Sequence, residues 1–311
     1  MRVVVAGGAG FLGSHFCDQL LSRGDSVVAL DDLSTGTRDN LAQLEAHPDF
    51  QFVLADVSLE TPVEGAIDAV VNFASAASPR AYLSRPLQTL AVGSEGTRRL
   101  LERAERDGAR FLHASTSEVY GDPKVHPQSE EYWGNVNPVG PRSVYDESKR
   151  FAEALVMAHH RELGTNVGIA RIFNTYGPRL RAGDGRVVSN FITQALRGDP
   201  LSVFGDGAQT RSLCYVSDTV RGMLALLDSH AVGPVNLGNP NELTVLQLAQ
   251  RIIELTGTTS SIEHRDLPID DPQRRRPDIS LAESLLAWLP IVELDSGLTA
   301  TIESFKALAA Q

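Results

Sequence analysis

The sequence predicts a doubly wound α/β fold, with a Rossmann-like parallel sheet and a smaller C-terminal substrate-binding lobe. Three features predict it. Short apolar runs alternate with longer amphipathic stretches, a glycine-rich turn follows the first run, and beyond about residue 175 the alternation gives way to Gly, Pro and polar residues. The strand runs are 3–6, 26–30, 50–54, 69–73, 111–114 and 167–172. They are short, β-branched and often continuous, as in strands covered on both faces. Helices are expected between them at 13–23, 85–107 and 143–163. Residues 1–175 thus form a dinucleotide-binding unit to which later segments return. Residues 176–311 mainly form the lobe, with helices at 188–197, 245–256 and 297–308.

Composition narrows the function. A chain of 311 residues, 42% hydrophobic and 22% charged, can bury a sizeable core. No apolar run approaches the ~20 residues of a membrane helix. Met1 and Arg2 lead into an apolar run too short for a signal-peptide core. A cytoplasmic protein with no membrane partner is expected. A net charge of −11 argues against a general nucleic-acid partner. Cys17 and Cys214 are the only cysteines, in no metal-ligand spacing, and are read as buried free thiols. An acidic protein with an anionic ligand must gather positive charge locally. Arginines cluster at Arg171, Arg179, Arg181, Arg186, Arg211 and Arg274 to Arg276, a pattern that solvated surface also gives.

The turn after the first strand reads GGAGFLG at 7–13. Gly7, Gly10 and Gly13 let the backbone approach a pyrophosphate, with Phe11 and Leu12 in the same turn, and the helix that the glycines open offers free N–H groups and a partial positive charge. Asp31, at the end of the second strand, is placed to accept bonds from ribose hydroxyls and to repel a 2′-phosphate, with Asp32 adding to the repulsion. NAD is therefore favoured over NADP. Asp56 and Val57 end the third strand, where Asp56 serves equally as an adenine contact or a helix cap.

Tyr145 and Lys149 stand four apart, on one face of the helix expected at 143–163. A nearby ammonium is expected to lower the tyrosine's usual pKa of about 10, so that the pair can move a proton to or from a sugar hydroxyl. The run STSEVYG at 115–121 follows the fifth strand directly and puts Ser115, Thr116, Ser117 and Glu118 at the carboxyl end of the sheet, where substrates bind in such folds.

Taken in order, these motifs resemble the extended short-chain dehydrogenase/reductases. Within them, the run at 115–150, RIFNTYGPR at 171–179, DGRVVSNFITQAL at 184–196, GDGAQTRSLCYVSD at 205–218, NLGNPNE at 236–242 and DDPQRRRPDI at 270–279 resemble UDP-glucuronate decarboxylases. The resemblance implies a homodimer, paired through helices 85–107 and 143–163, that turns UDP-glucuronate into UDP-xylose with tightly bound NAD. It implies Tyr145 as general base, Lys149 as its electrostatic partner and Thr116 on the hydroxyl to be oxidised. Glu118 and Arg275 match positions of decarboxylation and protonation, and Ser117 helps hold the sugar acid. Asn174, Arg186, Arg211 and Tyr215 match positions near the UDP or the sugar.

The chain departs from that pattern at Ala76 and Arg80, where prolines are common. It departs again at Gly93 for asparagine, Val144 for cysteine and Ser148 for glycine. Arg80 follows the fourth strand, where it can alter affinity for the sugar carboxylate. A UDP-glucuronate 4-epimerase would share the first oxidation but keep the carboxylate, and Arg275 speaks against it. A 4,6-dehydratase wants an acid where Ser117 stands. A non-catalytic NAD-binding regulator on the same fold would not need Thr116, Glu118, Tyr145 and Lys149 together.

Overall fold

The computed structural model describes residues 1–267 and 274–309. Its strands are β1 (Arg2–Ala6), β2 (Ser26–Asp31), β3 (Phe50–Leu54), β4 (Ala69–Asn72), β5 (Arg110–Thr116), β6 (Val167–Ile172), β7 (Thr175–Tyr176), β8 (Leu201–Phe204), β9 (Thr210–Ser212), β10 (Cys214–Tyr215), β11 (Val235–Leu237), β12 (Glu242–Thr244) and β13 (Ile262–Arg265). Its helices are α1 (Phe11–Ser22), α2 (Pro79–Ser84), α3 (Pro86–Ala91), α4 (Thr97–Asp107), α5 (Ser143–Leu163), α6 (Val187–Arg197), α7 (Val216–Asp228), α8 (Val245–Thr256), α9 (Ser280–Leu286) and α10 (Leu294–Ala309).

Seven strands form one parallel sheet in the order β11-β6-β5-β4-β1-β2-β3. The doubly wound reading holds, and the seventh strand comes from the second half of the chain. Alternation along β1 explains the two-sided burial. Val3 and Val5 face a core with Phe16 and Leu20 of α1 and Met223 of α7. Val4 and Ala6 face another with Leu100, Leu101 and Ala104 of α4 and Val156 of α5. Each fully buried valine contributes roughly 1.5–3 kcal/mol relative to exposure. A third core joins α6, α8, α10 and β8 in the smaller lobe. There Thr244 and Gln247 close a capping box at the start of α8. Cys17 and Cys214 are buried free thiols, and burial pushes both up, Cys214 to about 12.

The single helix expected over 85–107 runs without interruption from Pro86 to Asp107, with one π-helical turn at Val92–Gly96 between α3 and α4. The turn lies where the chain crosses α5: a Cβ on Gly93 would come within 2.6 Å of the Ser148 Cβ. The departures at 93 and 148 are therefore two sides of one contact.

Candidate active site

The glycine turn is built on backbone clearances. Gly7 has φ +76°, and a Cβ on Gly13 would lie 2.1 Å from the Gly7 carbonyl oxygen. Gly10 caps α1 without a side chain, and no acid stands in the first turn, so the amides at Phe11 and Leu12 keep an uncompensated positive end. Asp31 is buried and accepts from the amides of Ala9 at 3.0 Å and Leu33 at 2.8 Å. Burial raises its pKa, with the Leu33 and Ala9 amides opposing. Each carboxylate oxygen keeps a lone pair for a ribose hydroxyl. A side-chain-free turn, an open helix end and a fixed carboxylate together fit a dinucleotide. Asp32 is exposed and accepts from the Ser34 amide at 2.9 Å. Asp56 closes a turn, taking the Ser58 amide at 2.8 Å and hydroxyl at 2.7 Å, and the element that follows is β4, with no helix for it to cap, while Val57 is buried.

Across the sheet edge, Thr116 ends β5 and accepts from the Glu118 amide at 3.2 Å, starting the 3-10 turn Ser117–Tyr120. Ser117 is buried in that turn. From α5, Tyr145 and Lys149 point to the same place, as their spacing requires. Their expected coupling does not appear. Lys149 Nζ donates to the Ala114 carbonyl at 2.8 Å. Burial lowers this ammonium to about 8, against the pull of Glu153. Burial also raises the Tyr145 phenol to about 12, with a hydrogen bond to Thr116 and the charge of Arg186 opposing. Removal from water outweighs the neighbouring charges.

Glu118 is the centre of a second group. Arg142 Nη2 donates to Glu118 Oε2 at 2.5 Å, and Arg275 Nη2 lies 3.0 Å from the same oxygen. Burial pushes the Glu118 carboxyl up, but Arg275 and Arg142 outweigh it and hold it at about 2. Arg275, 2% exposed, donates through Nη1 to the Gly121 carbonyl at 2.6 Å. Its backbone is placed by Ser212, whose hydroxyl donates to the Arg275 carbonyl at 2.7 Å, and by Gln128, which bonds both sides of Arg276. Residues 270–273 of the motif DDPQRRRPDI lie outside the described residues.

Three members of this group were missed by sequence reasoning. Arg142 precedes Tyr145 by one helical turn. Asp146, next to Tyr145, is buried with Oδ1 lacking a hydrogen-bond partner. Tyr82 of α2 stacks on the Tyr145 ring, with centroids 5.2 Å apart and planes 6° apart, and its buried hydroxyl is also unpartnered. Arg142 and Asp146 carried a local signal, one just before the Tyr145 helix and the other on it. Tyr82 carried none.

The other expected residues are more dispersed. Arg186 caps α6, and its charge acts on Tyr145. Asn174 and Tyr215 are neighbours through the β7–β10 pair, the Asn174 carbonyl accepting from the Cys214 amide at 2.9 Å. Arg211 lies on β9, opposite Leu243 of β12. Arg80 is exposed and donates to the Gly183 carbonyl at 3.1 Å, so it touches the loop before Arg186. Among the clustered arginines, Arg171 is structural: it pairs with Glu153 at 2.7 Å and lies 4.9 Å from the Tyr120 ring.

Comparison with known proteins agrees with this geometry. The NAD dependent epimerase/dehydratase family matches residues 3–238. UDP-glucuronic acid decarboxylase 1 of Arabidopsis thaliana is 50% identical over 306 residues, 98% of this chain and 70% of that protein. The Xenopus tropicalis UDP-glucuronic acid decarboxylase 1 is 49% identical over 305 residues, 98% of this chain and 72% of that protein. Among solved structures, the Bacillus cereus UDP-glucuronic acid 4-epimerase in complex with UDP-glucuronic acid and NAD superposes with a TM-score of 0.89 at 30% identity, covering 99% of this chain and 100% of that one. The dTDP-glucose 4,6-dehydratase of Streptomyces venezuelae, solved with NAD bound, gives 0.90 at 31% identity, covering 100% of this chain and 98% of that one.

Proposed function

The chain belongs to the NAD dependent epimerase/dehydratase family, and on that footing we propose that it is a carboxy-lyase, converting UDP-glucuronate to UDP-xylose with NAD as resident cofactor. The observation that carries the reading is the buried cluster beside Tyr145, where the guanidinium groups of Arg142 and Arg275 meet at the ionised carboxylate of Glu118. Two adjoining guanidiniums suit a hexuronate carboxylate. Arg275 Nε, buried without a hydrogen-bond partner, and the Tyr82 hydroxyl are free to receive a sugar acid.

Gly7, Gly10, Gly13 and the amides of Phe11 and Leu12 hold the pyrophosphate, and Asp31 holds the ribose, with Asp32 adding negative charge. Asp56 and Val57 border the adenine. NAD held there would supply the hydride acceptor for the sugar C4 and be regenerated within each turnover, so no net oxidant would be consumed. Thr116 and Tyr145 flank the C4 hydroxyl; the cationic nicotinamide of bound NAD would favour the phenolate against the burial that raises it, so that Tyr145 could accept the hydroxyl proton, with Lys149 one turn along the helix. The C4 ketone stands β to the carboxylate, so the electron pair of the breaking C5–C6 bond passes into the carbonyl. Donors on the developing enolate oxygen, here Tyr145 and Thr116, are each worth about 3–4 kcal/mol in comparable sites. Glu118 shares both guanidiniums, so the departing carboxylate is gripped by a divided pair. Ser117 helps hold the sugar acid, and Arg186, Asn174, Arg211 and Tyr215 hold the nucleotide and sugar.

A homodimer is part of this reading. Leu87, Leu90 and Phe151 are exposed on α3 and α5, which pack side by side. Light scattering is expected to give twice the chain mass, and a monomer would count against it. No helix among the described residues is long and apolar enough to cross a membrane. The two buried free thiols suit a cytoplasmic location.

The deciding experiment incubates the NAD-loaded protein with UDP-glucuronate and follows the nucleotide sugar by mass spectrometry. Loss of the mass of carbon dioxide without net NADH is expected. An unchanged mass with a new chromatographic peak would mean epimerisation instead.

A further inference from the structure

The segment from Gly177 to Arg186 leads from the sheet into the smaller lobe, and it is tied down at two points. Its base is held by α1: His15 Nε2 donates to the Pro178 carbonyl at 2.9 Å, and Arg179 pairs with Asp18 at 2.7 Å. Its tip is held by α2, where Arg80 Nη1 donates to the Gly183 carbonyl at 3.1 Å. A Cβ built on Gly185 would lie 3.5 Å from the Arg80 Cβ, so the two stretches of chain run side by side there. Exposed Arg181 lies between the two ties.

We infer that Arg80 is a positioning residue: it clasps the turn 183–185 to α2 and thereby fixes Arg186 for the nucleotide sugar, without touching the sugar itself. The inference rests on the reading above that Arg186 meets the nucleotide sugar, and gives Arg80 a part in it. Gly183 and Gly185 turn at φ +72° and +95°, where side chains rarely go. Asp184 between them is anchored in the first turn of α6. Its Oδ1 accepts from the Arg186 amide at 2.9 Å and from the hydroxyl of fully buried Ser189 at 2.8 Å, and its Oδ2 lies 3.4 Å from Arg186 Nε. The turn and Arg186 therefore move as one piece, seated on the lobe core through Val188, Phe191 and Ile192 of α6.

The helix α2 joins this piece to Tyr145. Positions 80 and 82 stand about 200° apart round a helix. Tyr82, 1% exposed, reaches inward and stacks on the Tyr145 ring, whereas exposed Arg80 reaches outward to the turn. One short helix thus touches Tyr145 on one side and the substrate lobe on the other. An exposed hydrogen bond of this kind adds little to global stability. It sets a local equilibrium between a turn docked on α2 and a turn released from it. A ligand that meets Arg186 favours the docked form, so clasp and ligand act on the same equilibrium.

Limited trypsin cleavage after Arg181, read by mass as the fragment beginning at Ala182, reports the released turn. Arg80→Met keeps an unbranched side chain beside Gly185 but removes the donor. Without ligand it should be cut about three times faster than the unsubstituted protein, with Tm unchanged. Arg80→Lys, which keeps one donor, should fall between the two. Saturating UDP-xylose should slow cleavage of the Met variant to the rate of the unsubstituted protein. Equal cleavage rates overturn the inference, as does a Lys variant cut as fast as the Met variant, or a ligand that leaves cleavage unaltered. Titration calorimetry on the NAD-loaded protein makes the remaining distinction. A clasp changes the affinities for UDP-xylose and UDP-glucuronate by the same factor. A loss confined to UDP-glucuronate would make Arg80 a ligand of the sugar carboxylate and overturn the inference. Should Arg80→Met not fold, the unsubstituted protein decides, because UDP-xylose must still protect Arg181. Failure of the decarboxylase reading shows separately, as UDP-glucuronate returned with its mass unchanged by the unsubstituted enzyme.

Discussion

The two ends of this site are built in opposite ways. At the nucleotide end the working surface is backbone: a turn without side chains, an uncapped helix start and one carboxylate fixed by two amides. At the sugar end it is side chains, brought from α2, the 3-10 turn after β5, the start of α5 and a segment more than a hundred residues later. The first end resists substitution through steric contact. The second resists it through charge, because each buried ion depends on the others. A backbone site is spelled in consecutive residues, whereas a side-chain site is spelled by the fold.

The largest expected effect falls on chemistry. Tyr145→Phe removes the proposed proton acceptor and leaves the stacked ring, so kcat should fall about 10²- to 10⁴-fold with little change in Tm. A comparable loss of Tm would mean that the hydroxyl matters for folding, and would blur the contrast drawn above. Next comes Arg142→Ala. It takes one of two counter-charges from buried Glu118 and should cost about 3 kcal/mol in denaturant unfolding. Unchanged stability would show that Arg275 alone satisfies Glu118. At the nucleotide end, Gly13→Ala presses a methyl group onto the Gly7 carbonyl and should cost about 2 kcal/mol, with weaker retention of NAD. Normal NAD retention in that variant would mean the turn can open without loss, contrary to a surface fixed by backbone contact.

What was legible follows the same division. GGAGFLG with Asp31, and Tyr145 with Lys149, are local patterns, and each lies where its pattern places it. So do Thr116, Ser117 and Glu118, because a strand end fixes them. Arg275 was reached by resemblance to a family; nothing around it in the chain points to Glu118. Tyr82 was unreadable because its partner is a ring more than sixty residues on. The Tyr145 phenol was misjudged because spacing reports which face a residue shares and says nothing of its desolvation. The ammonium was expected to dominate, yet burial does. The helix over 85–107 is there as its continuous amphipathic pattern predicts; only the π-helical turn within it, which lies at a contact with α5, is not encoded in that pattern.

That contact gives the smallest prediction. Gly93 faces Ser148, whose hydroxyl donates to the Tyr145 carbonyl at 2.8 Å. Gly93→Ala alone forces two Cβ atoms to within 2.6 Å and should destabilise by about 1–2 kcal/mol, since both lie on packed helices with little room to yield. Ser148→Gly alone should cost about 1 kcal/mol through helix propensity. Made in the Ser148→Gly background, Gly93→Ala meets no Cβ, though it still comes 3.1 Å from the residue 148 carbonyl oxygen, so most of its cost should disappear. The cost of one substitution thus depends on the other, which a double-mutant cycle reads directly as coupling. Additive effects would mean that the helices slide apart to accept the methyl group. In that case Tyr145, one turn from Ser148 on the same helix, should shift as well, and kcat would fall in step with Tm.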